Sequence, residues 1–367
     1  MRGPNSIDFW RGFALVTIFI THVPGIVFER YTLREFSLSD SAELFVFLAG
    51  VSLRYVVNSL AGEPLSAAVF RLSARAMTIY YAQVIITLIA IAILAGASKA
   101  LDQPYILQWH NASAVFDDPV EAHIGLVLLR YQLGYFNILP LYVVLMAAGP
   151  SIAVFDRLAP RLLLPLSGAL YLYAVSTGLN LPTWPVEGSW FFSPFCWQFM
   201  FVLGFVLGGP KGYSAFSPTT KKVLFWLSGL QVLIGFGIAV ADFTPDPARL
   251  PDPKLFFLFD KTYLSPARAL HALALVCFFA GAFKYIQRLA PWLGKYFSLL
   301  GRNSLNVFCV ASLLSLCGQV VRYAFNGRLE MDFIVLLIGL LGLGITGWLS
   351  EWRQRHAEAR SRRLASA

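Results

Sequence analysis

The feature that most constrains this chain is the recurrence of apolar blocks that approach the roughly 20 residues a helix needs to cross a bilayer, with charge confined to the connections. Lipid offers the backbone no hydrogen bonds, so each crossing is a helix or a strand of a closed barrel. The blocks are too long and too continuously apolar for barrel strands. Composition agrees, with 57% of residues hydrophobic and 13% charged, against about a quarter charged in a soluble domain. The expectation is an all-α, polytopic transmembrane helix bundle.

About ten spans are read, at roughly 8–28, 41–60, 77–97, 134–154, 161–178, 190–209, 222–241, 264–284, 304–325 and 331–350. Arg71 and Arg75 follow the second span, Arg157 and Arg161 the fourth, and Lys211, Lys221 and Lys222 the sixth. Lys284, Arg288, Lys295 and Arg302 follow the eighth, and the tail adds Arg353, Arg355, Arg360, Arg362 and Arg363. The alternate connections are acid-rich: Glu29, Glu35 and Asp40, then Asp102, Asp117, Asp118 and Glu121, then Glu187, then Asp242, Asp246, Asp252 and Asp260. Basic residues mark the cytoplasmic side. Both termini are therefore expected in the cytoplasm and the chain in a bacterial inner membrane. The pattern is weakest at the last outside loop, which carries Arg322 and Arg328. The organisation read is a membrane domain over 1–352 and a basic cytoplasmic tail over 353–367, with no internal repeat.

The net charge of +9 is attributed to this loop bias rather than to nucleic-acid binding. Cys196, Cys277, Cys309 and Cys317 all fall in apolar blocks without CxxC spacing, so a disulfide framework and a metal site are not expected. Arg2 and the apolar run after it resemble a signal peptide. Asp8 and Arg11 interrupt the approach, and the segment reads as a retained first helix. No nucleophile elbow, P-loop or HExxH occurs.

Polar residues inside spans are costly and usually face a cavity or a partner. Arg11 and His22 lie eleven residues apart on the first span, three turns plus about 20°, hence on one face and about 16 Å apart along the axis. Arg11 suits a phosphate or carboxylate near the inner surface. His22 suits removal of a proton from an attacking alcohol. The structural alternative is a snorkelling arginine and an imidazole bonded to a backbone carbonyl. Asp40 and Glu43 stand at the start of the second span, where a carboxylate would orient the imidazole. The alternative for Glu43 is a salt bridge to Arg34 or Arg54. Residues 65–76 read as a short amphipathic surface segment. Its Arg71 and Arg75 share a face, for coenzyme A phosphates or lipid headgroups. Trp109, His110, Asn111, His123, Trp184 and Trp190 border the outside loops, as interfacial anchors or as a sugar platform. Arg268 and His271 share a face near the outer end of the eighth span. Asp260 and Glu187 are the structural alternatives as partners for Arg268.

Together these residues resemble the integral-membrane acyltransferase family 3, whose first helix carries R-x10-H, matched by Arg11 and His22. Glu43-Leu44-Phe45-Val46-Phe47-Leu48-Ala49-Gly50 is similar to its second-helix pattern, and Arg71, Arg75 and Tyr80 to its basic motif, with Thr78 in the place of a proline. The OpgC branch is closer. Ile7-Asp8 through His22-Val23-Pro24, residues 39–47, Gly134-Tyr135-Phe136-Asn137, Trp190 through Gln198, Leu264-Ser265-Pro266 with Arg268 and His271, and Gly301-Arg302-Asn303-Ser304-Leu305 all resemble it.

The resemblance implies an O-acyltransferase with no permanently bound cofactor, taking a succinyl group from cytoplasmic succinyl-CoA to hydroxyls of an osmoregulated periplasmic glucan. It implies His22, Glu43 and Asp40 as catalytic residues and Arg11, Arg71, Arg75 and Tyr80 as the donor site. Arg268, His271, Asn137, Tyr135, Trp190 and Gln198 are the expected substrate contacts, with Arg268 on the succinyl carboxylate. An acetyltransferase of another surface polysaccharide and a permease or flippase are the rival readings.

Overall fold

The computed structural model describes residues 3–365, and side chains as far as Arg360. Arg2, the side chains of Arg362 and Arg363, and the end of the expected basic tail lie outside the described residues. No strand occurs among them; the one extended pairing is an isolated bridge between Pro182 and Ser189.

In chain order the principal helices are α1 (Ser6–Thr21), α2 (Ser41–Ser59), α3 (Leu65–Ala100), α4 (Ile138–Leu158), α5 (Pro160–Thr177), α6 (Pro194–Leu207), α7 (Pro218–Val240), α8 (Pro266–Phe279), α9 (Ala282–Leu289), α10 (Pro291–Arg302), α11 (Ser304–Ala324) and α12 (Leu329–Ala365). Their starts follow from local chemistry. The α5, α6, α7, α8 and α10 helices begin on prolines 160, 194, 218, 266 and 291, where a missing N–H costs nothing. At the head of α2, Asp40 accepts from the Ala42 amide while Glu43 accepts from the Asp40 amide, a reciprocal capping box.

Each expected span contains a helix, but six helices are long and apolar enough to cross a membrane, or seven if the bent pair α8 and α9 counts as one. This is a helical membrane bundle. The α1 helix has 16 residues and α6 has 14, which at 1.5 Å per residue gives about 24 and 21 Å against a core of about 30 Å. Two expectations need correction. The first helix does not run from 8 to 28: Pro24 cannot donate, Gly25 takes φ +74, and the helix ends at Thr21. The amphipathic segment at 65–76 is not separate. It forms the opening turns of α3, one helix of 36 residues, about 54 Å long. The four cysteines are free, with Cys196 buried and Cys317 exposed.

The chain divides into two compact units: residues 33–278, and a second formed by 1–32 together with 279–367. In the discontinuous unit α1 packs against α10, α11 and α12. A Cβ on Gly12 would strike the Phe297 carbonyl, and one on Gly301 the Asp8 carbonyl, so glycine is what lets α1 and α10 touch backbone to backbone. The continuous unit repeats this device where α2 crosses α6. There Gly50 abuts the Phe201 carbonyl and Gly204 the Phe47 carbonyl. The α3 helix lies along α4, and α5 along α6.

Candidate functional site

In the discontinuous unit, Asn5 caps α1 through the Asp8 amide at 2.9 Å. One turn in, Arg11 donates from Nη2 to the Ser304 hydroxyl at 2.5 Å. Its Nε is sealed from solvent and has no hydrogen-bond partner. An unmade buried donor costs about 1–3 kcal/mol. At the other end, His22 is not inside the helix but caps it: its amide reaches back to the Ile18 carbonyl, and its own carbonyl accepts from Gln319 Nε2 at 2.6 Å. Arg11 and His22 thus occupy opposite ends of α1.

In the continuous unit, the heads of α2 and α8 bring four charges together. Arg268 donates from Nε and Nη2 to Glu43 Oε1 at 2.9 and 2.6 Å. Lys261 donates to Asp40 at 2.5 Å, and Arg268 lies 3.7 Å from the same carboxylate. Glu43 is completely buried. Burial opposes the charged form of Asp40, but Lys261 and Arg268 outweigh it and hold its carboxyl well below the usual carboxylate range. Lys261 also sits over the rings of Phe191 and Phe192, 5.9 and 5.8 Å from their centroids. The loop carrying it is fastened from several sides. Trp197 Nε1 donates to the carbonyls of Lys261 and Thr262, the Ser193 amide to Thr262, and the Tyr171 hydroxyl to the Leu264 carbonyl. One turn past Arg268, the fully buried His271 bonds the Ser37 hydroxyl through Nε2 at 2.9 Å.

Far from this cluster on α2, Arg54 forms a two-pronged pair with Asp156 at 2.5 and 2.8 Å, donates to the Phe205 carbonyl and lies over the Phe205 ring. The heads of α2 and α8 therefore share one side of this unit. The ends of α2, α4 and α6 share another.

A family model described as OpgC protein matches residues 4–355. The chain belongs to the OpgC family. No curated protein and no solved structure matches it.

Within this OpgC chain the expected site residues fall into distinct groups. Arg11 and His22 share the discontinuous unit; Asp40, Glu43, Arg268 and His271 share the other. Neither structural alternative named for Glu43 and Arg268 describes their pairing. Glu43 is matched by Arg268 rather than Arg54, and Arg268 takes Glu43 rather than Asp260 or Glu187. Arg71 and Arg75 are exposed one turn apart on α3. Tyr80 ties α3 to the Val127 carbonyl at 2.9 Å. Gln198 is consumed by packing: its amide nitrogen donates to the Ser167 and Phe195 carbonyls, and its oxygen accepts from the Ser167 hydroxyl. Trp190 is buried with its indole N–H unpartnered. Tyr135 takes a positive φ of 65 and packs edge-on against His110, with ring centroids 5.0 Å apart. Asn137 precedes α4 without capping it. No cluster of His, Cys, Asp or Glu among the described residues is arranged to hold a metal.

Sequence reading missed Lys261, Asp332 and Gln319. Lys261 was visible as a cation directly after Asp260 in an acid-rich loop. Asp332, an acid entering an apolar run, pairs with Arg322, one of the two residues, with Arg328, that weakened the charge alternation. Nothing in the sequence marks Gln319.

Proposed function

We propose that this chain is a transmembrane O-acyltransferase of the bacterial inner membrane. It moves a succinyl group from cytoplasmic succinyl-CoA to hydroxyls of a periplasmic glucan, with about ten membrane passages and both termini in the cytoplasm. Membership of the OpgC family supports a glucan-modifying acyltransferase. The observation that carries the residue assignment is Arg11: a half-buried cation near the start of α1, whose Nε is sealed from solvent and, among the described residues, has no hydrogen-bond partner, while its Nη2 donates to a serine hydroxyl. An anionic ligand relieves that unmade hydrogen bond, and the planar guanidinium suits a phosphate or carboxylate oxygen.

In this reading Arg11 holds an anionic part of the donor, and Arg71 and Arg75 attract the phosphates of coenzyme A from their exposed face. His22, at the far end of the same helix, takes the proton from a glucan hydroxyl as that oxygen attacks the thioester carbonyl. The carbon–sulfur bond breaks, coenzyme A leaves as the thiolate, and the proton passes from the imidazolium to it. Arg268 is pinned through one edge by Glu43, and its Nη1 makes no hydrogen bond among the described residues. That remaining edge is suited to the carboxylate of the succinyl group. Asp40 and Lys261 hold the capping box and thereby the arginine. Trp190 offers its indole N–H to a sugar oxygen, with Tyr135, Asn137 and His271 around the acceptor; Tyr80 and Gln198 support the framework.

The test is thioester consumption by membranes containing the protein, supplied with succinyl-CoA and periplasmic glucan. Wild type is expected to release free coenzyme A and to succinylate the glucan, and His22→Ala to do neither while inserting normally. An active His22→Ala protein removes the base; a wild type that releases no coenzyme A removes the enzyme. In the same assay Arg268→Gln is expected to lose preference for succinyl-CoA over acetyl-CoA, and retained preference removes its role.

A further inference from the structure

Where α1 stops at Thr21, its last carbonyls lose their helical partners, and the chain must turn through Pro24 and Gly25. Such orphan carbonyls need other donors. The α11 helix supplies them in series. The Ser315 hydroxyl donates to the Phe19 carbonyl at 3.0 Å, Gln319 Nε2 to the His22 carbonyl at 2.6 Å, and Arg322 Nη2 to the Gly25 carbonyl at 2.7 Å. Positions 315, 319 and 322 are separated by four and three residues and form one stripe on α11. The carbonyls they reach are spaced every three residues, at 19, 22 and 25. The turn is closed from α12, where Asp332 accepts from the Val27 amide at 2.8 Å and pairs with Arg322. Asp332 is only 3% exposed, so this carboxylate is buried with the cation and the amide that justify it.

Every one of these bonds to the 19–27 segment falls on main-chain atoms. The device therefore sets where the His22 backbone stands without using the imidazole's own nitrogens. The α1 helix is also held at Gly12 against α10, so the ladder acts on the one part of it that its own hydrogen bonds no longer define.

We infer that Gln319, locked in register by the Arg322–Asp332 pair, is a positioning residue that fixes His22 for proton transfer. The inference rests on the proposed role of His22 as the base. A displacement of about 1 Å at a reacting group lowers turnover by roughly 100-fold. Gln319 is chosen because it bonds the base's own carbonyl, whereas Arg322 and Asp332 act one step removed.

The experiment measures coenzyme A release by the full-length protein in membranes, with succinyl-CoA and periplasmic glucan, for wild type, Gln319→Leu, Asp332→Asn, Asn306→Ala and His22→Ala. Gln319→Leu is expected to lower kcat by about 10- to 100-fold, with the KM for succinyl-CoA within about 2-fold of wild type and an unchanged melting temperature. Asp332→Asn keeps an acceptor for the Val27 amide and loses the ion pair; it is expected to show a smaller loss of kcat, again at constant KM. Asn306→Ala removes another side-chain amide hydrogen bond, to the Ser350 hydroxyl, at the other end of α11 and is expected to leave kcat unchanged. Wild-type kcat in Gln319→Leu overturns the inference. So does a fall in kcat that Asn306→Ala reproduces, or one accompanied by equal losses of donor affinity and melting temperature. An active His22→Ala protein instead overturns the reading beneath it.

Discussion

In the continuous unit the charges gathered at the helix heads and ends cancel. Lys261 and Arg268 are opposed by Asp40 and Glu43, and Arg54 is opposed by Asp156. In the discontinuous unit Arg302 meets Glu351 and Arg322 meets Asp332, but Arg11 forms no ion pair among the described residues. Both units use the same construction, a helix crossing closed by a reciprocal pair of glycines, with arginine–carboxylate pairs at the helix ends. They differ in what is left over. Desolvating a charge is costly, and in a low-dielectric interior an arginine without a carboxylate is held at the expense of stability. One unit has spent its charges on holding its loops and helix heads in place. The other leaves Arg11, on the helix that ends at His22, with no carboxylate opposite it among the described residues.

The largest expected effect tests the shared construction. Gly204→Val and Gly12→Val each drive a side chain into a backbone carbonyl that cannot retreat. Both are expected to abolish folded protein, seen as loss of the monodisperse peak after detergent extraction. If Gly12→Val extracted normally, the crossings would not be equivalent and the parallel between the units would break.

The next effect tests the difference. Glu43→Ala strands Arg268 in a buried site and is expected to destabilise by about 3–5 kcal/mol, read as a lower melting temperature in detergent. Arg11→Met removes the unpartnered Nε together with one hydrogen bond to Ser304 and is expected to leave the melting temperature unchanged or raised, while weakening apparent donor affinity. Equal destabilisation by the two substitutions would erase the distinction between a spent and an unspent charge.

The smallest effect sharpens it by pH. The folded state holds the Asp40 carboxyl below its ordinary value of 3.8. The associated stability is therefore present above that value and is lost as pH falls below it. The melting-temperature gap between wild type and Asp40→Asn is expected to be constant near neutrality and to shrink below about pH 4. A gap that widened on acidification would mean that the carboxyl is not stabilised as an anion.

Much of the fold was legible in local chemistry. The sequence Asp40-Ser41-Ala42-Glu43 announces the start of α2, and prolines 160, 194, 218, 266 and 291 announce five more helices. The errors have local causes too. Apolar character continues past Thr21, and an apolar pattern does not register where the backbone stops being helical; Pro24-Gly25 was the overlooked signal. The change from basic to apolar at residue 77 looked like a boundary, but no proline or glycine interrupts α3 there, so one helix runs through it. Of the candidate site, Arg11, His22, Asp40, Glu43 and Arg268 were all recognisable as charges in unsuitable places. Their partners were not, because the carboxylate that holds Arg268 lies 225 residues away and nothing along the chain points to it.

The sequence by itself determined that this is a helical membrane protein, where most of its helices begin, and which side chains are too polar to be idle. Those outcomes depend on hydrophobic length, proline and capping chemistry, and the cost of charge in lipid, all of which act within a few turns of chain. Only the tertiary structure decided which charges neutralise one another, where each helix stops, and that Ser315, Gln319 and Arg322 face the carbonyls at the end of α1. Such matches depend on the approach of segments hundreds of residues apart, and side-chain hydrogen bonds, effective over about 3 Å, exist only once the packing has brought them there.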